Sequence, residues 1–412
     1  MERILALVLL ITFIAVNEVA AAPLGTIDPA AKAYVDKATE KLKEGNYNEA
    51  IVDFTAALSI QADCEEALMG RAQAHEKAEN QFQALHDYDK VILLNPKNIQ
   101  AYLSRAALKS KVGIDDEAME DYGRVIRLDP QNYTAYYERG IIENIAGMYN
   151  EALTDFEKCA QLKPSAEIFF ITGVLQAKLG FDDKAIVYFS DAIKADKENK
   201  DYYYHRACSR IRVGKNAEAI KDLVYAIKLD TSDANYYFRL GQAYHGLGKY
   251  ENAMENYSIA INKKPDNIDY YYSRAITHVA NNNIEAAIND YSKVIELQPE
   301  NMDSYVNRAG LYLKANMLKE AEADYSKYIE LNPGNFSVFQ KRAEVRLKMQ
   351  NFQGAITDLD NVIEMRPSAG TAYYNRGLAK FNLNNREDAC KDFYKSSELG
   401  NKEVSVLLKD CQ

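Results

Sequence analysis

The chain contains no tryptophan, although it carries 30 Tyr and 14 Phe in 412 residues. It has no basic run, and its net charge is -10 at pH 7. Affinity for nucleic acid comes mostly from Lys and Arg on phosphates, so the composition argues against a nucleic-acid partner. Histidine is scarce: His75, His86, His205, His245 and His278 stand apart, without metal-ligand spacing. No nucleophile elbow and no phosphate-cradling glycine loop occurs. The reading is therefore of a non-enzyme with no cofactor, no metal and no small-molecule substrate. Carboxylates are plentiful, but at this density they signify solvated faces.

Long hydrophobic runs are also missing, except at the start. The apolar run from Ile4 to Val16 is too short for a comfortable membrane span. Val19, Ala20 and Ala21 after it fit a small-residue cleavage site. Residues 1–21 read as an export signal and 22–30 as a short linker. The mature chain is expected to be exported, periplasmic or secreted, with no membrane span.

What the sequence does have is a period. Starting at Ala50, alanines recur at Ala84, Ala118, Ala152, Ala185, Ala219, Ala253, Ala287, Ala321, Ala355 and Ala389, every step 34 residues except one of 33. Twelve residues before each stands Ala or Gly, from Ala38 to Gly377. Four after each stands a large apolar residue, from Phe54 to Phe393. Pro often closes the unit, as at Pro96, Pro130 and Pro164. Such a unit is a helical hairpin: paired small residues let two helices approach, an aromatic fills the space beside them, and Pro punctuates. One hairpin cannot bury its own apolar faces, so hairpins must stack.

These positions resemble the tetratricopeptide repeat family, in eleven units over residues 31–401. The resemblance implies an all-α fold, an α-solenoid winding as a right-handed superhelix, with first helices lining a concave groove. The family's usual Trp position is aromatic here but never Trp, as at Tyr102, Tyr203 and Tyr271. Residues 402–412 read as one more helix that caps the open apolar end. This ending is similar to that of exported bacterial members. Cys390 on the last hairpin and Cys411 on the cap are a possible disulfide in an oxidising compartment. Cys159 replaces a small packing residue and reads as an inert core thiol.

Within the period a charge pairing is visible. Arg71, Arg105, Arg139, Arg206, Arg274, Arg308, Arg342 and Arg376 are each followed sixteen residues later by Asp: Asp87, Asp121, Asp155, Asp222, Asp290, Asp324, Asp358 and Asp392. Unit five has Thr172 and Tyr188 instead, and unit seven has Leu240 and Asn256. Cation and acid appear or vanish together, so we expect structural ion pairs within each hairpin.

Adjacent aromatics precede many of these arginines, as in the "DYYYHR" of Asp201–Arg206. The first is expected to pack in its own hairpin. The second, about 100° further round the helix, is expected to face the groove, at Tyr137, Phe170, Tyr204, Phe238, Tyr272 and Tyr374. One turn on, the same face offers Ile141, Val174, Gln242 and Ile276. Glu167, Asp201, Asp269 and Asp303 flank it. Aromatics dominate binding hot spots. The expected partner is a protein or extended peptide with apolar and some basic side chains. Packing between neighbouring hairpins is the plainer account of the same rings. Carbohydrate or cell-wall binding through the rings, or a spacer role in an envelope complex, are the alternative functions. The carboxylate-gripping residues of chaperone-linked members are not matched, since Asn307 and Asn375 lack cationic partners in the corresponding positions.

Overall fold

A computed structural model describes residues 27–411, so the signal expected at residues 1–21 lies outside the described residues. The described chain is helical throughout and divides into two compact units, Met1–Pro164 and Ser165–Gln412.

The first unit is four hairpins: α1 (Pro29–Lys43) with α2 (Tyr47–Ile60), α3 (Glu65–Lys77) with α4 (Gln81–Leu94), α5 (Ile99–Lys111) with α6 (Asp115–Leu128), and α7 (Tyr133–Ile145) with α8 (Tyr149–Leu162). The second unit is seven: α9 (Ala166–Lys178) with α10 (Asp182–Ala195), α11 (Lys200–Arg212) with α12 (Asn216–Leu229), α13 (Ala234–Gly246) with α14 (Tyr250–Lys263), α15 (Ile268–Ala280) with α16 (Ile284–Leu297), α17 (Met302–Lys314) with α18 (Leu318–Leu331), α19 (Phe336–Lys348) with α20 (Phe352–Met365), and α21 (Gly370–Asn382) with α22 (Arg386–Glu398). Within each unit, consecutive helices pack on one another.

Local chemistry sets the ends. Before many first helices a side-chain oxygen accepts a backbone N–H, as Asn98 does from Ala101 and Asp233 from Asn235. Inside each hairpin the turn passes through a left-handed residue. Gly45, Gly113, Gly147, Gly180, Gly214 and Gly248 supply it in six hairpins. Glu79, Asn282, Asn316, Gln350 and Asn384 adopt it with a side chain attached.

The core repeats with the same period. The alanines from Ala50 to Ala389 are fully buried, and the aromatics at Phe54, Tyr88, Phe156, Phe189, Tyr257 and Phe393 lie with them. Closeness is enforced where the facing residue is glycine. A Cβ at Gly173 would come within 2.7 Å of the Phe189 ring, and one at Gly241 within 2.6 Å of Tyr257.

The C-terminal segment differs from the single helix expected for residues 402–412. It forms two 3-10 turns, Lys402–Ser405 and Leu407–Cys411. Ten residues are too few to hold an α-helix by local bonds alone. The tighter turns instead bury Val404 against Ala389 and Phe393, with Leu407 and Leu408 packed beside them. Cys411 is joined to Cys390 by a disulfide. Among the described residues no helix is long and apolar enough to cross a membrane.

Candidate partner-binding site

The arginine ladder is the frame of the site. In every hairpin that carries the pair, the guanidinium meets its Asp through two bonds. Arg71 donates to both oxygens of Asp87 at 2.7 Å, and Arg274 to Asp290 at 2.9 and 2.7 Å. The same fork joins Arg105 to Asp121, Arg139 to Asp155, Arg206 to Asp222, Arg308 to Asp324, Arg342 to Asp358 and Arg376 to Asp392. The aspartates are buried. A buried carboxylate needs such a bidentate partner.

Two partners of this fork escape a reading of Arg and Asp alone. The free Nη1 reaches back to the preceding hairpin: Arg274 to Ser258 at 2.7 Å, Arg308 to Ser292 at 2.8 Å and Arg376 to Asp360 at 2.6 Å. Each of the eight arginines except Arg139 thus ties two hairpins together. A second cation one turn after the arginine, or after Lys37 in the first hairpin, also reaches the same Asp. Lys41 reaches Asp53 at 2.8 Å, Lys109 Asp121 at 3.0 Å, Arg346 Asp358 at 2.9 Å and Lys380 Asp392 at 2.8 Å. Both positions recur with the 34-residue period, which is the signal that would have found them.

The aromatic preceding the arginine by three residues is its stacking partner. Arg206 lies 5.8 Å from the Tyr203 ring centre, Arg274 5.8 Å from Tyr271 and Arg376 5.4 Å from Tyr373. Residues three apart share a helix face, so aromatic and arginine meet without strain.

The candidate binding rings are half-buried, and most touch the next hairpin. In the second unit Phe170 packs on Tyr202 at 5.0 Å, Tyr204 on Tyr236 at 5.2 Å and Phe238 on Tyr270 at 4.8 Å between ring centres. The ladder stops where buried Ser304 stands in place of the receiving tyrosine, and Asn307 donates to the Tyr272 hydroxyl at 3.1 Å instead. Tyr202, Tyr236 and Tyr270 are buried, so the first residue of each aromatic triplet is the inter-hairpin packing ring. Phe238 is only 8% exposed, held between Tyr257 and Tyr270. It belongs to the packed wall and offers no free face, a correction to its expected place on an open stripe. Phe170, Val174, Tyr204, Gln242, Tyr272 and Tyr374 keep partial exposure, and Ile276 is 40% exposed. Asp201, Asp269 and Asp303 are exposed beside them. Burial pushes the Tyr204 hydroxyl up to about 12 and lowers the basicity of His205, so both are neutral near pH 7. In the first unit Tyr137 stacks on Tyr133 at 5.8 Å, with Ile141 partly buried one turn on.

Stacked helical hairpins with periodic small residues, and no strand among the described residues, define an α-solenoid. The family comparison then names it. The models "TPR repeat" and "Tetratricopeptide repeat" match residues 35–99, 133–165, 212–248, 244–282, 272–336 and 341–401. The chain belongs to the tetratricopeptide repeat family. A search of curated proteins finds no match. Among solved structures, the C-terminal part of a TPR repeat-containing protein from Cytophaga hutchinsonii aligns at 22% identity with a TM-score of 0.50, over 57% of this chain and 97% of that one. A tetratricopeptide repeat protein from Parabacteroides merdae aligns at 22% identity and 0.41, over 59% and 97%. Yeast Tom70 aligns at 16% identity and 0.37, over 93% and 94%. These likenesses concern the fold.

Proposed function

We propose that this chain is a non-enzymatic scaffold that holds a partner protein, as an extended segment, against the first helices of its second unit. One observation carries the reading: Phe170, Tyr204 and Tyr272 remain partly exposed on the fifth, sixth and eighth hairpins, with Ile276 open beside them and acidic residues at the rim. Half-exposed rings offer large contact area at little entropic cost. The acidic rim favours basic side chains next to the apolar ones. Tyr137 and Ile141 extend the same chemistry to the first unit. A carbohydrate would need planar amides beside the rings, and the Gln242 carbonyl is already engaged by Arg239. An exported location is part of the proposal, supported by the run from Ile4 to Val16 and by the disulfide at Cys390 and Cys411.

The test is a random-peptide display library panned on the full chain and on a Tyr204→Ser, Tyr272→Ser variant of unchanged helicity. Enrichment of apolar and basic sequences by the native chain, lost on the variant, supports the reading. Equal enrichment on both shows that these rings serve packing only.

A further inference from the structure

Unit seven breaks the arginine pattern in an informative way. Its sequence "YYFRLG", Tyr236 to Gly241, aligns with "YYYHRA", Tyr202 to Ala207. The arginine has moved one position earlier, to Arg239, and Leu240 occupies its usual place. The usual aspartate is Asn256, whose amide turns back to the Asn252 carbonyl at 2.8 Å. One residue is about 100° of rotation on a helix. Arg239 has therefore left the hairpin seam and lies on the ring-bearing face.

There it has no acid. Its Nη1 donates to Gln242 Oε1 at 2.8 Å, and its Nε is buried with no hydrogen-bond partner. The guanidinium carbon sits 5.5 Å from the Phe238 ring centre, with the Tyr204 hydroxyl and the Cys208 thiol beside it. The charged side chain that acts on it is another cation, Arg212, itself held bidentate by Asp182. A half-buried guanidinium with a vacant donor and no counter-charge is costly unless a ligand completes it. The carboxylates that act on the tyrosines of this wall include the half-exposed Asp233 at the start of the same hairpin, which caps the Asn235 amide, and the exposed Asp201 and Asp269 on the hairpins to either side.

We infer that Arg239 is an anion anchor taking one carboxylate side chain of the bound polypeptide, with basic residues of that polypeptide meeting Asp201 and Asp269. The charge order is basic, acidic, basic along the segment. It rests on the scaffold reading above and adds the recognition element to it. The anchor uses a single arginine walled by Tyr204, Phe238 and Tyr270, so it selects one isolated acid among apolar neighbours rather than an acidic run, which the rim repels.

The peptide library decides it when panned in parallel on the full chain and on R239Q, with R239K as a control that keeps the charge. The native chain should enrich segments with one Asp or Glu between Lys or Arg. In the best synthetic peptide, replacing that acid by its amide should cost the native chain about tenfold or more in Kd, the worth of one charge-assisted pair. The same replacement should cost R239Q less than about twofold, since the partner charge is gone. Equal binding of acid and amide peptides to the native chain overturns the anchor. If the Tyr204→Ser, Tyr272→Ser variant then still loses binding, the scaffold reading survives that failure. A library that enriches nothing on the native chain, or enriches alike on all variants, overturns both.

Discussion

Glu143 is the charge most at odds with its surroundings, and its removal tests how the hairpins are held. It stands one turn after Arg139, the position where Lys41, Lys109, Arg346 and Lys380 bring a second cation to the buried aspartate. Unit four places a carboxylate there instead. Glu143 is 6% exposed, its Oε2 has no hydrogen-bond partner, and Asp155 lies beside it. Burial first, then Asp155 and Glu151, drive its carboxyl up from 4.5 to about 7, against the pull of Arg139 at 3.5 Å. Arg139 also lacks the tie to the preceding hairpin seen elsewhere, because Gly123 occupies the bridging position.

The sign follows from linkage. The folded state holds the proton more tightly than the unfolded state, so stability is fully present below about pH 4.5 and is lost as pH rises through about 7. Each tenfold step in proton affinity is worth about 1.4 kcal/mol, so the loss in the α7–α8 hairpin amounts to about 3 kcal/mol. Hydrogen exchange of α7 and α8 amides, corrected for intrinsic rates, should show opening that grows between pH 5 and 8. Glu143→Gln should flatten that dependence. Glu143→Lys should flatten it and also raise protection at pH 8, by reaching Asp155 as Lys109 reaches Asp121. Parallel pH profiles for native and Glu143→Gln proteins would falsify the reasoning.

Asp290→Ala should destabilise by about 3 kcal/mol, because it strands the Arg274 guanidinium; adding Arg274→Leu should cost little more in urea unfolding, and simple additivity would show the fork to be inert. Glu79→Gly should raise stability by about 0.5–1 kcal/mol, since a left-handed side chain costs about 1–2 and glycine flexibility returns part of it; an unchanged melting curve would place the strain elsewhere. Gly173→Val should cost about 1–3 kcal/mol by driving a side chain into the Phe189 ring, read by calorimetry, and a neutral result would mean that α9 and α10 can part. Cys411→Ser should lower stability by about 3 kcal/mol for the loop of 21 residues it opens, with the effect abolished when the native chain is reduced.

The fold was legible because the hairpin is stated eleven times, and each statement needs only small residues facing large ones. The fork of Arg and Asp was legible for a further reason: units five and seven lose both members together. What escaped was whatever the comparison of one position with another did not cover. The second cation at Lys109 or Lys380 pairs within the same hairpin, but the fork alone already accounts for its aspartate; the bridging Ser258 or Ser292 pairs between hairpins, which a reading of single hairpins does not join. Phe238 escaped because exposure depends on the neighbour. Tyr270 covers it, whereas Ser304 leaves Tyr272 partly open. Arg239 escaped because it stands one residue out of register. The terminal 3-10 turns escaped because a short amphipathic pattern does not separate them from an α-helix.

The two hairpins without the fork show how the repeat tolerates its loss. In unit five the Thr172 hydroxyl turns back to the Ile168 carbonyl at 2.7 Å, and Phe170 packs on Phe189, Tyr202 and His205. In unit seven Phe238 packs on Tyr257 and Tyr270. Both have lost the ion pair and keep ring contacts of the kind that fork-bearing hairpins also make, as between Tyr137 and Phe156 or Tyr272 and Tyr291. Such a loss is often neutral or favourable, because two buried charges no longer need to be desolvated, while ring pairs still add about 0.5–1.5 kcal/mol beyond their area. An ion fork fixes both partners at the seam and leaves neither for a ligand. A ring contact holds the hairpins together through one face and releases the polar position beside it. The forkless hairpins are therefore the places where this repeat is free to put a charge on its ring-bearing face, and Arg239 is where it has done so.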